Sequence, residues 1–435
     1  MKKWLFQSTD NSPLIIFRII FGFLITCESW GAIATGWVNR VLIEPKFTFH
    51  FIGFNFLQPL PGNGMYAYFF VMGLSGLSVM LGYRYRIGIL SFSLLWAGVY
   101  LMQKSAYNNH YYLLFLINFL MCVLPASKDL SFDAKLDLLK RTNVMPNWIY
   151  ALIIGQLLIV YTYASVAKIY PDWLDTTVAR NMMASKVDYP LIGKILQQKW
   201  VHYVIAYYGI LFDLLVIPGL LYKPTRKFFF YLALFFHLYN SIFLGIGIFP
   251  YLALGFCVFF FDSKQIRKLF YPKSQKVLRE PTFTNFKYSK WIVLGLSIWL
   301  LVQVLLPLRH WGIPGDVLWT EEGHRLSWRM MLRSKRGVNT FYIEDQETCL
   351  RKKVKLRDYL TKKQIKSMGG KPDMIWQFAQ YLKQTYQAKG IIIGVFVHNK
   401  TRVNSHPRRS IIDRYTDLAS VEWNYWGHNE WVLLE

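Results

Sequence analysis

The sequence has few charged residues and is especially short of acidic ones. It holds 25 Asp and Glu against 50 Lys and Arg, and charged residues make up only 17% of its 435 positions. Soluble domains usually carry about 25% charged residues. In their place, 54% of the residues are hydrophobic and 18% are aromatic. The composition therefore excludes an ordinary soluble globular protein and indicates segments that lie in a membrane.

Cysteines and nucleotide-binding motifs are also scarce. Three of the four cysteines, Cys27, Cys122 and Cys257, fall in apolar stretches, and Cys349 stands alone in the polar C-terminal part. No spacing among them suggests a zinc site or a disulfide framework. No internal repeat, P-loop or dinucleotide fingerprint is evident. We therefore expect no metal site.

The formal net charge of +25 raises the question of a nucleic-acid partner. The basic residues do not form one stripe beside stacking aromatic residues, as a nucleic-acid surface would require. Many lie in short segments between apolar stretches, where membrane topology and anionic headgroups explain them. We therefore expect these basic residues to interact with the lipid bilayer and not with a nucleic acid.

The hydrophobic residues are gathered into stretches of the length that a bilayer requires. A hydrocarbon core of about 30 Å is crossed by about 20 helical residues. We count nine candidate spans, at residues 13–33, 64–82, 86–104, 109–125, 146–167, 201–221, 227–246, 248–261 and 291–308. The eighth is short and has Pro250 near its start, so a re-entrant or tilted segment remains an alternative. The N-terminal segment lacks a small-residue cleavage site after a short apolar core, so we expect the first span to be retained as a helix.

The distribution of lysine and arginine predicts a cytoplasmic N-terminus. With that orientation, the segments expected in the cytoplasm hold many more basic residues than the opposite loops, as the positive-inside rule requires. Nine spans then place residues 309–435 outside the cytosol.

The sequence thus predicts an all-α polytopic membrane domain at residues 1–308 and a small extracytosolic α+β domain at 309–435. Residues 375–386, IWQFAQYLKQTY, have the period of an amphipathic helix. Residues 390–399 and 430–435 have the β-branched and aromatic content of strands. We expect this domain to dock on the membrane part.

Lys168 follows the fifth span at its outer end. A lysine there is commonly a snorkelling residue whose amine reaches the headgroups. Two features weaken that interpretation: the positive-inside trend disfavours lysine on this side, and Tyr161, Ala164 and Ser165 offer a small-residue face on which another helix could pack. An amine enclosed in this way loses proton affinity and can act as a general base.

Other polar residues at membrane depth have the same two interpretations. Asn108, Asn109 and His110 open the fourth span, where they either cap a helix or orient a histidine that stabilises a developing negative charge. His237 and Asn240 share one helical face and either fix helix packing or form the polar end of a ligand cavity. Asp213 is a lone carboxylate within a span, and its simpler role is to pair with a donor such as Lys168.

The segment 319–335, WTEEGHRLSWRMMLRSK, follows the last span on the outer side. It is either a solvated connector along the membrane surface or a carboxylate site, with Arg325, Arg329 and Arg333 as ligands under Trp328 and Met331. Most of these polar groups fall at the outer face, which is our reason to expect a single site.

Four stretches resemble the vitamin K-dependent gamma-carboxylase family, whose membrane part is called the horizontally transferred transmembrane (HTTM) domain. They are NNHYYL (108–113), IVYTYASVAKIYPDW (159–173), FHLYNSIFLGIGIFPY (236–251) and LSWRMMLRS (326–334). Their order and their positions relative to the spans make the joint resemblance specific. It extends from about residue 13 to residue 435.

The resemblance implies an enzyme that oxygenates reduced vitamin K to its epoxide and uses the base so produced to carboxylate a protein glutamate. O2 and CO2 would be co-substrates, and no metal would take part. Lys168 would deprotonate the hydroquinone and His110 would stabilise the anion. We expect the quinone near Asn109, His237, Asn240 and Phe249, together with Asp213. We expect the substrate glutamate near Trp319, His324, Trp328, Met330, Met331 and Arg333.

Two departures from the animal enzymes stand out. Ala167 replaces the first of their two adjacent lysines, and no cysteine pair matches theirs. The chain is similar to a compact bacterial form, so the bacterial inner membrane, with the C-terminal domain in the periplasm, is the expected location. Quinol epoxidation without protein carboxylation remains an alternative, as does a non-enzymatic protein that binds lipid or quinone.

Overall fold

The computed structural model describes residues 2–137, 141–271 and 288–434, and most of them are helical. In chain order, the helices of the first part are α1 (Lys2–Leu5), α2 (Ser12–Ala34), α3 (Gly64–Leu81), α4 (Tyr85–Met102), α5 (Asn109–Val123), α6 (Phe132–Leu136), α7 (Trp148–Val166), α8 (Pro171–Leu174), α9 (Thr177–Met183), α10 (Gly193–Leu196), α11 (Lys199–Leu221), α12 (Arg226–Leu244), α13 (Phe249–Phe256), α14 (Ser263–Phe270) and α15 (Ser289–Leu308). They are followed by α16 (Val317–Thr320), α17 (Lys362–Met368) and α18 (Pro372–Gln387). The strands are β1 (Ser8–Asp10), β2 (Val144–Pro146), β3 (Lys335–Asp345), β4 (Arg351–Lys353) and β5 (Ile393–Val403).

Seven helices among the described residues are long and apolar enough to cross a bilayer, which makes the chain a multi-pass membrane protein. They are α2, α3, α4, α7, α11, α12 and α15 with its extension to Gly312. The expected count of nine spans is not confirmed, because the fourth and eighth correspond to the shorter apolar helices Asn109–Val123 and Phe249–Phe259. At 1.5 Å per residue, α5 covers only about 22 Å. Leu124 is extended, as expected before a proline, and Pro125 ends this helix.

Close packing of α2 against α3 holds the first helices together. A Cβ atom at Gly22 would lie 2.5 Å from the Cα of Met80, and one at Gly73 would overlap the indole of Trp30. On α2, the guanidinium of Arg18 is fully buried and donates to the backbone carbonyls of Ala126 (3.2 Å) and Leu130 (2.7 Å). Arg18 therefore ties α2 to the chain after α5, a role that sequence patterns did not indicate.

The C-terminal part is built on a three-stranded antiparallel sheet in the order β4-β3-β5. Strand β3 pairs with β5 from Lys335↔Val403 to Asp345↔Ile393. The amphipathic helix α18 covers one face, and its hydrophobic residues join the buried side chains of both strands in a core of their own. This helix was expected, whereas the strand predicted at 430–435 was wrong: the described residues of that segment form only the isolated bridge Ile412↔Val432. The strand expected at 390–399 begins three residues later, at Ile393.

Buried contacts attach this part to the loops between the membrane helices. Phe49, from the loop after α2, belongs to the C-terminal core, and Gln364 donates to the carbonyl of Phe47 at 2.6 Å. Lys104, between α4 and α5, forms a buried ion pair with Asp373 at 2.5 Å. Asp373 also accepts two hydrogen bonds from Arg325, at 2.6 and 3.2 Å. The domain boundary expected at residues 308 and 309 is therefore crossed by a shared core and a shared ionic cluster.

Part of the charge pattern behind the predicted orientation lies outside the described residues. The basic residues concerned are Lys140, Lys273, Lys276, Arg279 and Lys287. The orientation of the chain stays a prediction.

Candidate functional site

A cavity of about 230 Å³ lies between α7, α11 and α12, and its lining is mostly apolar. Six of the polar or aromatic residues expected at the site line it: His110, Lys168, Asp213, His237, Asn240 and Phe249. They come from α5, α11, α12, α13 and the end of α7. The fold thus brings together groups that are more than a hundred residues apart in sequence. We call this space the quinone cavity, after the ligand that the sequence resemblance implies for it.

Lys168 lies at the wall of the quinone cavity, directly after the C-cap of α7, and only 7% of it is exposed. Its Nζ donates to the carbonyl of Ala164 at 3.0 Å and to the carboxylate of Asp213 on α11. The hydroxyl of Ser165 bonds to the carbonyl of Ile210 at 3.0 Å, which joins α7 to α11 beside the pair. The amine therefore does not reach the headgroups, and Asp213 is its charge partner.

Two histidines line the quinone cavity with unused ring nitrogens. His237 is 1% exposed, and its Nε2 lies 3.1 Å from the hydroxyl of Tyr161. His110 stacks on Phe249, with ring centroids 4.2 Å apart, and His237 meets the same phenyl ring edge-on at 5.8 Å. Within the described part of the chain, Nδ1 of each histidine is buried and has no hydrogen-bond partner. Buried polar atoms are normally satisfied, so a polar ligand atom is the natural partner for them.

A second cavity, of about 190 Å³, adjoins the first, and we call it the cationic cavity. Three residues line both spaces: His110, Met330 and Met331. The remaining wall of the cationic cavity is polar, and it holds Tyr107, Asn108, Asn109, Glu321, His324, Arg325, Arg329, Arg333 and Lys371. One imidazole and two thioether side chains thus stand between an apolar and a charged space.

Positive charge exceeds negative charge in the cationic cavity. Arg333 forms an ion pair with Glu321, and the Nζ of Lys335 also lies 3.2 Å from the carboxylate of Glu321. Burial alone would raise the pKa of Glu321, but these two cations hold it well below its usual range. Enclosure by the protein, together with the charge of Arg325, lowers the pKa of Lys371 to about 8. The cavity therefore suits an incoming carboxylate.

The segment between α15 and β3 has a strained backbone. Glu321, Leu326, Trp328 and Met331 all have positive φ, at 67°, 61°, 56° and 54°. Each such non-glycine residue costs about 1–3 kcal/mol and persists only where its surroundings hold it.

Contacts with residues at the start of α5 keep this segment in its strained conformation. The ring of Trp328 stacks on Tyr112 at 4.8 Å, and the hydroxyl of Tyr107 accepts from the backbone N–H of Leu326 at 2.8 Å. The amide of Asn109 donates to the carbonyl of Arg329 at 3.0 Å. Asn109, together with Tyr107 and Tyr112, therefore positions the segment that carries Met330 and Met331.

The structure separates some of the residues that were expected together. Asn109 was expected at the quinone but lines the cationic cavity, where His324, Met330, Met331 and Arg333 also lie. Trp319 and Trp328 line neither cavity. The indole of Trp319 donates to the carbonyl of Leu433 at 2.9 Å, within the C-terminal core.

Two residues of the site were missed at the level of sequence. Tyr107 and Lys371 stand in segments whose pattern gave no reason to single them out, because their partners come from distant parts of the chain. In the described residues, no group of three or more His, Cys, Asp or Glu side chains could hold a metal ion.

Comparison with known families bears on both parts of the chain. Residues 6–264 match the HTTM domain, and residues 288–435 match the lumenal domain of vitamin K-dependent gamma-carboxylase. No solved structure matches the chain. The first match covers more than half of the sequence, and the second extends to residue 435, so that the two together cover nearly all of it. The chain therefore belongs to the vitamin K-dependent gamma-carboxylase family.

Proposed function

We propose that this chain is an enzyme that couples oxygenation of a reduced vitamin K-type quinone to carboxylation of a glutamate in a protein substrate. The observation that supports it most is the contact of the two cavities at His110, Met330 and Met331. A site that joins an oxidation to a carboxylation needs an apolar space for the quinone and a charged space for the glutamate. The two reacting groups must also be neighbours.

The residues of the quinone cavity fit a hydroquinone. Ligand sites of this kind are mainly apolar with a few convergent polar groups. Phe249 would face the ring system, and the unpartnered Nδ1 atoms of His110 and His237 would accept from or donate to its oxygens. When bound, reduced vitamin K supplies the reducing equivalents and the strong base of the reaction.

Lys168 and Asp213 act together as the base for the hydroquinone. A shift of one proton from Nζ to the carboxylate of Asp213 leaves a free amine, which then accepts the proton of a ring hydroxyl. The net proton then rests on Asp213, and the ammonium formed at Lys168 pairs with the hydroquinone anion, whereas an unpaired buried ammonium would be costly. The hydrogen bond to the carbonyl of Ala164 holds Nζ in place during the transfer.

The cationic cavity binds the substrate glutamate. Arg329 and Lys371 are its least neutralised cations, since Arg325 already pairs with Asp373 and Arg333 with Glu321. Met330 and Met331 exclude water between the cavities, which protects a glutamyl carbanion from protonation before it takes up CO2. Trp328 acts by positioning these methionines through its stack on Tyr112.

We further propose that residues 1–308 form the membrane domain and that residues 309–435 lie outside the cytosol, with the N-terminus in the cytoplasm. Both cavities would then open near the outer membrane face. This arrangement lets a lipid-soluble quinone enter from the bilayer and a protein substrate approach from water.

The decisive assay uses the purified chain in nanodiscs with reduced vitamin K, O2, labelled CO2 and a glutamate-containing peptide. We expect vitamin K epoxide and carboxyglutamate to form together. Epoxide without carboxyglutamate would replace the proposal with a quinol epoxidase. Neither product from a folded protein that binds quinone would leave a non-enzymatic quinone-binding role.

Lys168→Ala should lower epoxide formation by about 100- to 10,000-fold, the range typical of a general base. Quinone binding, measured by quenching of tryptophan fluorescence, should remain. Lys168→Arg is the matched control, because arginine keeps the charge and the pairing to Asp213 but does not give up its proton. Activity retained in either variant would contradict the role of Lys168.

A further inference from the structure

The sheet of the C-terminal part has one face that no helix covers. Side chains alternate along its strands, so that Val397 and Asn399 of β5 are buried towards α18 while His398 and Lys400 are exposed on the other side. At this open face, between β3, β5 and the segment after β5, lies a cavity of about 540 Å³. It is separate from the quinone and cationic cavities and shares no lining residue with them.

The lining of this third cavity is strongly basic. Lys400, Arg408, Arg409 and Arg414 contribute to it together with His398, and no acidic side chain does. All five residues are exposed. We call Lys400, Arg408, Arg409 and Arg414 the basic face.

The cations of the basic face have no carboxylate partners in the part of the chain that the structure describes. The nearest acid along the chain, Asp413, instead accepts from the hydroxyl of Thr416 at 2.6 Å. This contrasts with the cationic cavity, where Arg325 and Arg333 are both paired. The charge of the basic face is therefore available to an external partner.

Positive charge continues along the same side of the sheet. Arg351 of the edge strand β4 lies over the rings of Tyr342 and Phe396, at 5.0 and 4.7 Å from their centroids. Glu344 pairs with Arg351 across the two strands and places one acidic residue at this end of the sheet. From Lys335 to Glu344, strand β3 is about 30 Å long at 3.4 Å per residue.

We propose that the basic face docks an acidic segment of the polypeptide substrate. The proposal rests on the carboxylase function proposed above and names what recognises the substrate outside the reacting glutamate. Charge complementarity carries it: a chain rich in carboxylates is attracted by an unpaired cluster of cations, which raises its rate of encounter and its local concentration.

The position of the basic face suits such a role. Val338, which lines it, is five residues after Arg333 of the cationic cavity, so their Cα atoms are at most about 18 Å apart. A substrate held at the basic face would therefore keep a neighbouring glutamate close to the cationic cavity.

An extended peptide fits this surface better than a lipid bilayer does. The membrane-proximal end of the sheet is marked by Asn404, whose amide donates to Asp172 after α7 at 2.7 Å. The cations run from that end to Arg351 at the other. A flat bilayer would meet only the near end, whereas a polypeptide can follow the strands.

The test measures binding of a fluorescent peptide of ten glutamates to the full chain in phosphatidylcholine nanodiscs at low salt. The variant Arg408→Ala/Arg409→Ala/Arg414→Ala should weaken the peptide's Kd roughly tenfold, since each exposed ion pair adds a modest increment. The matched control removes three exposed lysines of α17, Lys362→Ala/Lys363→Ala/Lys366→Ala, and should leave the Kd unchanged. Added salt should abolish the difference.

Measuring epoxide formation as well as peptide binding distinguishes a failure of the docking proposal from a failure of the proposed carboxylase function. The arginine variant should form epoxide with a short neutral glutamate peptide at the rate of the wild type, because it keeps both cavities. Since the binding measurement needs no catalysis, an inactive chain that still shows the tenfold difference would refute the proposed function alone. Equal Kd values for the wild type and the arginine variant would overturn the docking proposal. The docking proposal would also be overturned if the arginine variant bound the peptide as the wild type does but no longer co-purified with phosphatidylglycerol. That result would identify the basic face as a lipid site.

Discussion

Lys168 and Asp213 form a buried ion pair that joins the end of α7 to the middle of α11 inside an apolar cavity. The side chains are only 9% and 7% exposed. A sequence pattern suggests either a snorkelling lysine or an enclosed amine at such a position, and the pairing favours the second. It also bears on the proposed chemistry, in which the base is a lysine and a carboxylate that share a proton rather than a lone neutral amine.

Asp213→Asn should reduce kcat for epoxide formation by roughly 100-fold. The amide cannot take up a proton from Nζ, so Lys168 loses the group that frees its amine, and a 100-fold loss of rate corresponds to about 3 kcal/mol. Steady-state kinetics of epoxide formation would measure the change. Asp213→Glu is the control, because it keeps the carboxylate, and should recover part of the rate. A rate for Asp213→Asn equal to that of the wild type would mean that Asp213 only fixes the helices.

Asp373→Asn should destabilise the junction between the membrane helices and the C-terminal sheet by about 3–5 kcal/mol. Asp373 is 6% exposed and neutralises both Lys104 and Arg325, so its loss leaves two buried cations without a partner. Burial alone would raise the pKa of Asp373, but Arg325 and Lys104 hold it well below its usual range, so its carboxylate is charged at neutral pH. Thermal unfolding in nanodiscs would report the loss.

The exposed pair between Lys355 and Asp358 provides the comparison. Asp358 is 58% exposed and its carboxylate lies 3.7 Å from the lysine, so Asp358→Asn should leave the melting temperature almost unchanged. Equal shifts for the two variants would show that burial does not determine the contribution of Asp373.

Much of the site could be proposed from the sequence because polar residues at membrane depth are rare and costly. Lys168, His110, His237, Asn240 and Asp213 were all singled out for that reason, and the fold gathers them around one cavity. The amphipathic pattern of 375–386 likewise indicated α18, because its apolar residues recur with the helical period.

Other features depended on contacts between distant segments, which no local pattern reports. The pairing of Lys104 with Asp373 joins residues that are far apart in the chain, so neither looked functional by itself. The count of nine spans is not confirmed, because α5 has the apolar content of a span but is short, since Pro125 ends it. The segment 430–435 has the residues of a strand, but its described residues form only a single bridge, between Val432 and Ile412.

The affinity for the substrate glutamate should fall as the pH rises through about 8. Enclosure, together with the charge of Arg325, lowers the pKa of Lys371 to about 8, so this lysine is charged below that pH and neutral above it. Glu321, Asp373 and Arg333 also act on Lys371 through their charges. The KM for a glutamate peptide should therefore rise severalfold between pH 7 and pH 9.

Two substitutions separate this effect from general pH sensitivity. Lys371→Arg keeps the positive charge and should flatten the profile, whereas Lys371→Met should show a high KM at every pH. A profile that is unchanged in both variants would assign the titration to another group.

Met331→Ala should uncouple the two halves of the proposed reaction. Met331 lines both cavities and is held with a positive φ of 54°. Removing its side chain opens a path for water between them, so a glutamyl carbanion is protonated more often than it is carboxylated. We expect epoxide formation to continue while the yield of carboxyglutamate per epoxide falls severalfold. Met182→Ala is the matched control, because Met182 lines the quinone cavity but not the cationic one, and it should keep the yield. A yield that drops equally in both variants would locate the barrier to water elsewhere in the quinone cavity.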